Sequence, residues 1–143
     1  MNHKRLELFL EFIIFGVLMG VVEDLIAVKF ATGHTIQART VLIAFLVSIP
    51  FAAIGELIVD KTHLIPKTGN KYWRHIEMFL EFLIFGVIMG VVEDLIAVTL
   101  ITSEPITMQI IGIVTLVAIP FAIIGELIVD YQDLIDCKLT NKC

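Results

Sequence analysis

Apolar residues fall into four long stretches, Leu6 to Phe30, Val41 to Val59, Ile76 to Ile101 and Ile106 to Val129, separated by short polar segments. Each is close to or above the ~20 residues that cross the hydrocarbon of a bilayer as a helix. The pattern predicts four transmembrane helices. The first stretch could pass for a secretion signal, but it is too long for one, lacks a cleavage-type ending and returns almost verbatim in the second half. It reads as a retained helix.

That return makes the chain a hairpin written twice. The phrase from Glu11 to Val28 reappears from Glu81 to Val98 with only Ile13 becoming Leu83 and Leu18 becoming Ile88, and Ile49 to Asp60 reappears as Ile119 to Asp130 with only Ala53 becoming Ile123. Between these phrases the copies diverge, Lys29 to Ala44 bearing little likeness to Thr99 to Val114. The expected organisation is a first hairpin over 1–66, a linker over 67–74, a second hairpin over 75–136 and a tail over 137–143. Each copy crosses twice, so both enter from the same side. The expected fold is therefore an all-α integral membrane protein whose two tandem parallel-repeat hairpins are related by a pseudo-twofold axis along the membrane normal.

Acids interrupt the apolar pattern at matching places. Glu7, Glu11, Glu23, Asp24, Glu56 and Asp60 recur as Glu77, Glu81, Glu93, Asp94, Glu126 and Asp130, and no Lys or Arg occurs between His75 and Cys137. A carboxylate inside an apolar helix without a protein cation must carry a proton, face water or bind a cation from solution. One charge near a helix centre costs ~2.5 to 3.5 kcal/mol on the translocon scale, against ~0.3 to 0.6 returned by each Leu, Ile, Phe or Val. Two such acids cancel roughly a dozen good apolar residues. Purely structural use of so many is the weaker reading.

Composition agrees: 58% hydrophobic residues and 17% charged exclude an ordinary soluble domain. Lys4, Arg5, Lys61, Lys67, Lys71, Arg74, Lys138 and Lys142 share one side of the four-crossing topology, leaving Lys29 and Arg39 on the other. The positive-inside rule then puts both termini and the linker in the cytoplasm. Tyr72, Trp73 and Tyr131 fall where interfacial anchors belong. The net charge of −5 reflects the embedded acids and implies no nucleic-acid partner. Cys137 and Cys143 sit in the tail on the reducing side, where a structural disulfide is not expected.

Helical rise divides the acids into two layers. Glu11, Glu56, Glu81 and Glu126, one per helix, form an expected inner layer near the cytoplasmic side; Glu23, Asp24, Glu93 and Asp94 form an outer layer about 18 Å further along. Gly16, Gly20 and Ala27, repeated as Gly86, Gly90 and Ala97, make a small-residue stripe for close helix packing, bordered by the outer acids. Phe12, Phe15 and Met19, with Phe82 and Met89 in the second copy, lie between the layers as core or as an apolar constriction. Pro50 and Pro120 each free a backbone carbonyl and bend the second helix of their hairpin, either to aim Glu56 and Glu126 inward or to wrap around a neighbour. One tension is visible already: Glu11 lies about 120° around the helix from Glu23, so both meet one axis only at its edges.

An oxygen-only donor set suits hard cations such as Mn²⁺, Ca²⁺ or Mg²⁺. His3, His34, His63 and His75 all fall in tails or loops, which disfavours haem, and the Glu-x-x-His ligands of di-iron bundles are missing. Hydrolase and phosphate-binding signatures are absent as well. The leading expectation is a membrane transporter or channel for a divalent metal, with proton coupling open, its ligands being the eight acids of the two layers. The alternatives are a scaffold in which protonated acids join helices, and a lipid-modifying or hydrolytic enzyme. A four-helix bundle is thin for a pore, which leaves room for a homo-oligomer in the bilayer.

Overall fold

A computed structural model describes residues 3–59 and 71–140. The side chains of 3–9, 11–12, 56, 58–59, 71–78, 82 and 129–140 lie outside the described set. Among described residues the fold is all-helical: α1 His3–Thr32, α2 Ala38–Val59, α3 Lys71–Thr102 and α4 Met108–Thr140. α3 takes in residues 71–74, expected in the linker, and α4 continues into the tail. No Pro or Gly interrupts either extension, so the hydrogen-bond ladder runs on past the apolar stretch.

Stretches within three of these helices, Ala38–Gly55 in α2, Phe79–Thr102 in α3 and Met108–Ile128 in α4, are long and apolar enough to cross a membrane. α1 is equally long, but every 18-residue stretch in it carries at least three charges. Beside Glu23 and Asp24 there is always Glu11 or Lys29, whereas α3 has Thr99 in place of Lys29. A single residue separates the two helices on this measure.

α1 and α3 form the middle of the bundle, touching each other and both remaining helices; among the described residues α2 and α4 lie on opposite flanks without mutual contact. Small residues let the two helices of each hairpin approach closely. A Cβ added at Gly16 would stand 3.2 Å from the Ala52 Cβ, and one at Gly86 would stand 3.3 Å from the Ala122 Cβ. The surface is inverted relative to a protein folded in water. Leu10, Ile14, Leu18 and Val22 form an exposed stripe four residues apart on α1, Ile14 being 60% exposed, and Leu80, Ile84, Ile88, Val92, Ile96 and Leu100 do the same on α3. Burying Asp24 while exposing Ile14 is unfavourable in water and favourable in lipid.

The divergent connections still share one geometry. α1 ends at Gly33, with φ of 68°, its N–H donating to the Lys29 carbonyl at 3.0 Å; α3 ends at Ser103, with φ of 56°, donating to the Thr99 carbonyl at 3.0 Å. Both are left-handed helix ends. In each, the preceding threonine hydroxyl, Thr32 or Thr102, donates back to Val28 or Val98 at 2.8 Å. Directly below the turns, Ala27, Val28, Val98, Ile110 and Val114 pack into a cluster no more than 7% exposed. This end of the bundle is shut.

Pro50 and Pro120 lie inside continuous helices and are exposed on the outer surface.

Candidate functional site

The helical period places Gly16, Gly20, Glu23 and Ala27 on one face of α1, with Asp24 at its edge, and Gly86, Gly90, Glu93, Ala97 and Asp94 likewise on α3. Because α1 and α3 pack directly, these faces meet. Each glutamate crosses to the other helix and occupies the notch of a missing side chain. A Cβ added at Gly20 would lie 2.8 Å from Glu93 Oε1, and one added at Gly90 would lie 2.8 Å from Glu23 Oε1. Read from the sequence as packing residues, Gly20 and Gly90 also admit a carboxylate.

The aspartates sit deeper. Asp24 and Asp94 are completely buried and Glu93 is 9% exposed. Asp94 has Glu23, Asp24 and Glu93 as electrostatic neighbours, so the four acids form one group. Among the described residues the hydroxyl of Ser48 in α2 bonds to it: its Oγ lies 3.3 Å from Asp24 Oδ2 and 3.0 Å from the Ala44 carbonyl, so its single proton is divided between two acceptors. Asp24 Oδ1, Glu93 Oε1 and both oxygens of Asp94 are buried and receive no hydrogen bond from a donor among the described residues, while Asp24 and Asp94 lie close enough to share a proton between them. Lys29 and Arg39 are exposed, away from the group. Buried polar atoms are rarely left unpaired, and an unpaired one calls for a ligand, a proton or a water.

The site is not symmetric. Ser48 stands where the second copy has Ala118, so the position beside Asp94 that corresponds to Ser48 carries no hydroxyl. The residue escaped attention in the sequence because it lies one position outside the repeated phrase that begins at Ile49. Its signal was available: a polar residue in one copy opposite an apolar one in the other.

A cavity of about 230 Å³ leads to the acids from the side opposite the two tight turns. All four helices line it, largely in equivalent pairs: Phe15 with Phe85, Met19 with Met89, Glu23 with Glu93, Phe51 with Phe121, and the glycines 16 with 86 and 55 with 125. Glu126 lines it too. Met19 and Met89 line it together with Glu23, Glu93 and Glu126. The phenyl rings beside them are those of Phe15 and Phe85, while the side chains of Phe12 and Phe82 lie outside the described residues.

The expected inner layer fares differently. Glu81 is exposed and does not line the cavity. Glu11 and Glu56 have side chains outside the described set, as do Tyr72, Trp73, Tyr131 and Cys137. Of the eight proposed ligands, the structure gathers Glu23, Asp24, Glu93 and Asp94 into one group and sets Glu126 on the cavity wall. Among the described residues, no three His, Cys, Asp or Glu side chains converge into a ready-made metal cage. The acids are arranged as crossing pairs.

Compared with protein-family models, curated proteins and solved structures, the chain finds no match in any of the three. Function therefore rests on the chemistry of the site.

Proposed function

We propose that this protein is a membrane carrier for a cation, which reaches the carboxylates of Glu23 and Glu93 through the four-helix cavity, with Asp24 and Asp94 behind them and protons competing for the same oxygens. The observation that carries this reading is a cavity lined by the carboxylates of Glu23, Glu93 and Glu126, with the completely buried Asp24 and Asp94 grouped behind Glu23 and Glu93. Four acids this close cannot all be ionised in an apolar setting without positive charge from outside the chain. A path open on one side and shut on the other by the cluster around Val28 and Val98 supports a carrier over a channel.

In this reading all four helices cross the bilayer, α1 being rescued by burial of its acids against α3. The two hairpins pair about an axis along the membrane normal, and the basic residues hold both termini in the cytoplasm. The cavity then faces the cytoplasm. The oxygen donors are chemically suited to a hard cation such as Mn²⁺, Ca²⁺ or Mg²⁺, which would keep part of its water or draw the side chains together. Flux into liposomes is the test, with Mn²⁺, Ca²⁺ and Mg²⁺ offered in turn and internal pH followed alongside. Wild-type flux exceeding that of the Glu23→Gln/Glu93→Gln variant is expected; equal leak in both would refute these ions as cargo, and the absence of any cation binding or flux would refute the proposal.

A second reading draws support from the complete burial of Asp24 and Asp94 where α1 meets α3. Protonated acids there would act as hydrogen-bonding glue for assembly. In that case Asn at both positions should leave helix association intact, and no cation should bind.

A further inference from the structure

We propose that the cavity takes an organic cation, a substituted ammonium with an apolar body, rather than a bare metal ion; this rests on the cation reading above and names its cargo. The wall between the acid group and the open side is built from Phe15, Phe51, Phe85, Phe121, Met19 and Met89. Phenyl faces attract a cation whose charge is spread over alkyl groups, and thioethers pack against its methyls. A divalent ion draws on carboxylate oxygens and retained water, and rings and thioethers offer it no ligand.

Size points the same way. The 230 Å³ cavity equals the share of about seven or eight waters, room enough for a compact organic molecule. Glu93 and Glu23 both line the inner end of the cavity and supply the anchoring charge, Glu93 being 9% exposed and Glu23 reaching into the notch at Gly90, which lines the cavity as well. A charged end held by one carboxylate and an apolar body held by rings is the usual division of labour in a small-molecule pocket. The glycines at 16, 55, 86 and 125 leave the wall recessed between the rings.

The probe is benzyltrimethylammonium, titrated calorimetrically into the purified full chain in detergent, with neopentylbenzene as the uncharged isostere and Mn²⁺ as the inorganic comparison. Saturable binding of the ammonium and none of the isostere is expected. Phe85→Leu/Phe121→Leu keeps an apolar wall without π faces and should weaken the ammonium about tenfold or more while leaving Mn²⁺ unchanged. Glu23→Gln/Glu93→Gln should abolish ammonium binding. Circular dichroism and a monodisperse elution profile establish that each variant is folded. If Mn²⁺ binds and the ammonium does not, or if the leucine variant binds the ammonium as wild type does, the organic-cation proposal is overturned and the cation reading survives. If neither cation binds and neither is transported, both fall.

Discussion

Exchanging the hydroxyl between the two copies tests whether the buried acids lack partners in the way the structure indicates. Ser48→Ala removes the hydroxyl 3.3 Å from Asp24 Oδ2 and leaves that completely buried carboxyl with only the carboxyl of Asp94 beside it. Leaving a buried polar group unsatisfied costs about 1–3 kcal/mol. The contact is longer than the ~2.5–3.0 Å of a strong O–H···O bond, and the same proton also serves the Ala44 carbonyl at 3.0 Å, so the low end, near 1 kcal/mol, is expected. Ala118→Ser is the mirror experiment. It offers a hydroxyl at the position beside Asp94 that matches Ser48, where neither oxygen receives a bond from a described donor, and should stabilise by about 0.5–1.5 kcal/mol. Gly90 opposite has no side chain to obstruct the new oxygen, although the Ala118 Cβ already lies 3.2 Å from where a Cβ at residue 90 would be. The double exchange should be close to neutral. Reversible unfolding in mixed micelles, followed by circular dichroism with denaturing detergent as the variable, measures all three. Loss of stability in Ala118→Ser together with no change in Ser48→Ala would refute the reasoning, since neither carboxylate would then be responding to a nearby donor.

Gly90→Ala places a methyl 2.8 Å from Glu23 Oε1 and 3.2 Å from the Ala118 Cβ, so it should cost about 1–3 kcal/mol in the same assay and displace Glu23 from its notch. Gly55→Ala, with open space at its Cβ, is the control and should cost little. Ser103→Gly relieves a left-handed residue whose backbone matches Gly33, and should stabilise by up to about 1–2 kcal/mol. Lys29→Thr gives α1 the residue that α3 carries and should raise its translocon insertion in a glycosylation-tag assay, by part of the ~2.5–3.5 kcal/mol that a central Lys costs. Cysteines introduced at Thr35 and at Lys71 should label from opposite sides of sealed vesicles; labelling from the same side would refute the four-crossing topology.

Much of this was legible in the chain because membranes impose a simple rule on sequence. A long apolar run must become a helix, since hydrocarbon offers backbone groups no other partner. The stretches of α2, α3 and α4 follow from that alone, and so does the suspicion attached to acids set within them. The pairing of Glu23 and Asp24 with Glu93 and Asp94 was likewise visible, because two copies of one phrase repeat the same helical face. Which acids meet was not visible. Periodicity assigns a residue to a face but leaves the facing partner open, so Glu81 looked equivalent to Glu126 until packing turned one outward and set the other on the cavity wall.

By itself, the order of residues determined four helical segments, the doubled acidic phrase and a chain whose apolar residues seek lipid. Only the packing of α1 against α3 decided that each glutamate would enter a glycine notch on the opposite helix, that Ser48 would serve Asp24 while Asp94 went without, and that phenyl rings would wall the approach. The physical reason is distance. Hydrophobicity and helical period act over a turn or two of one segment, whereas the fit of a carboxylate beside a missing Cβ exists only once two helices far apart in the chain come within a few ångströms of each other.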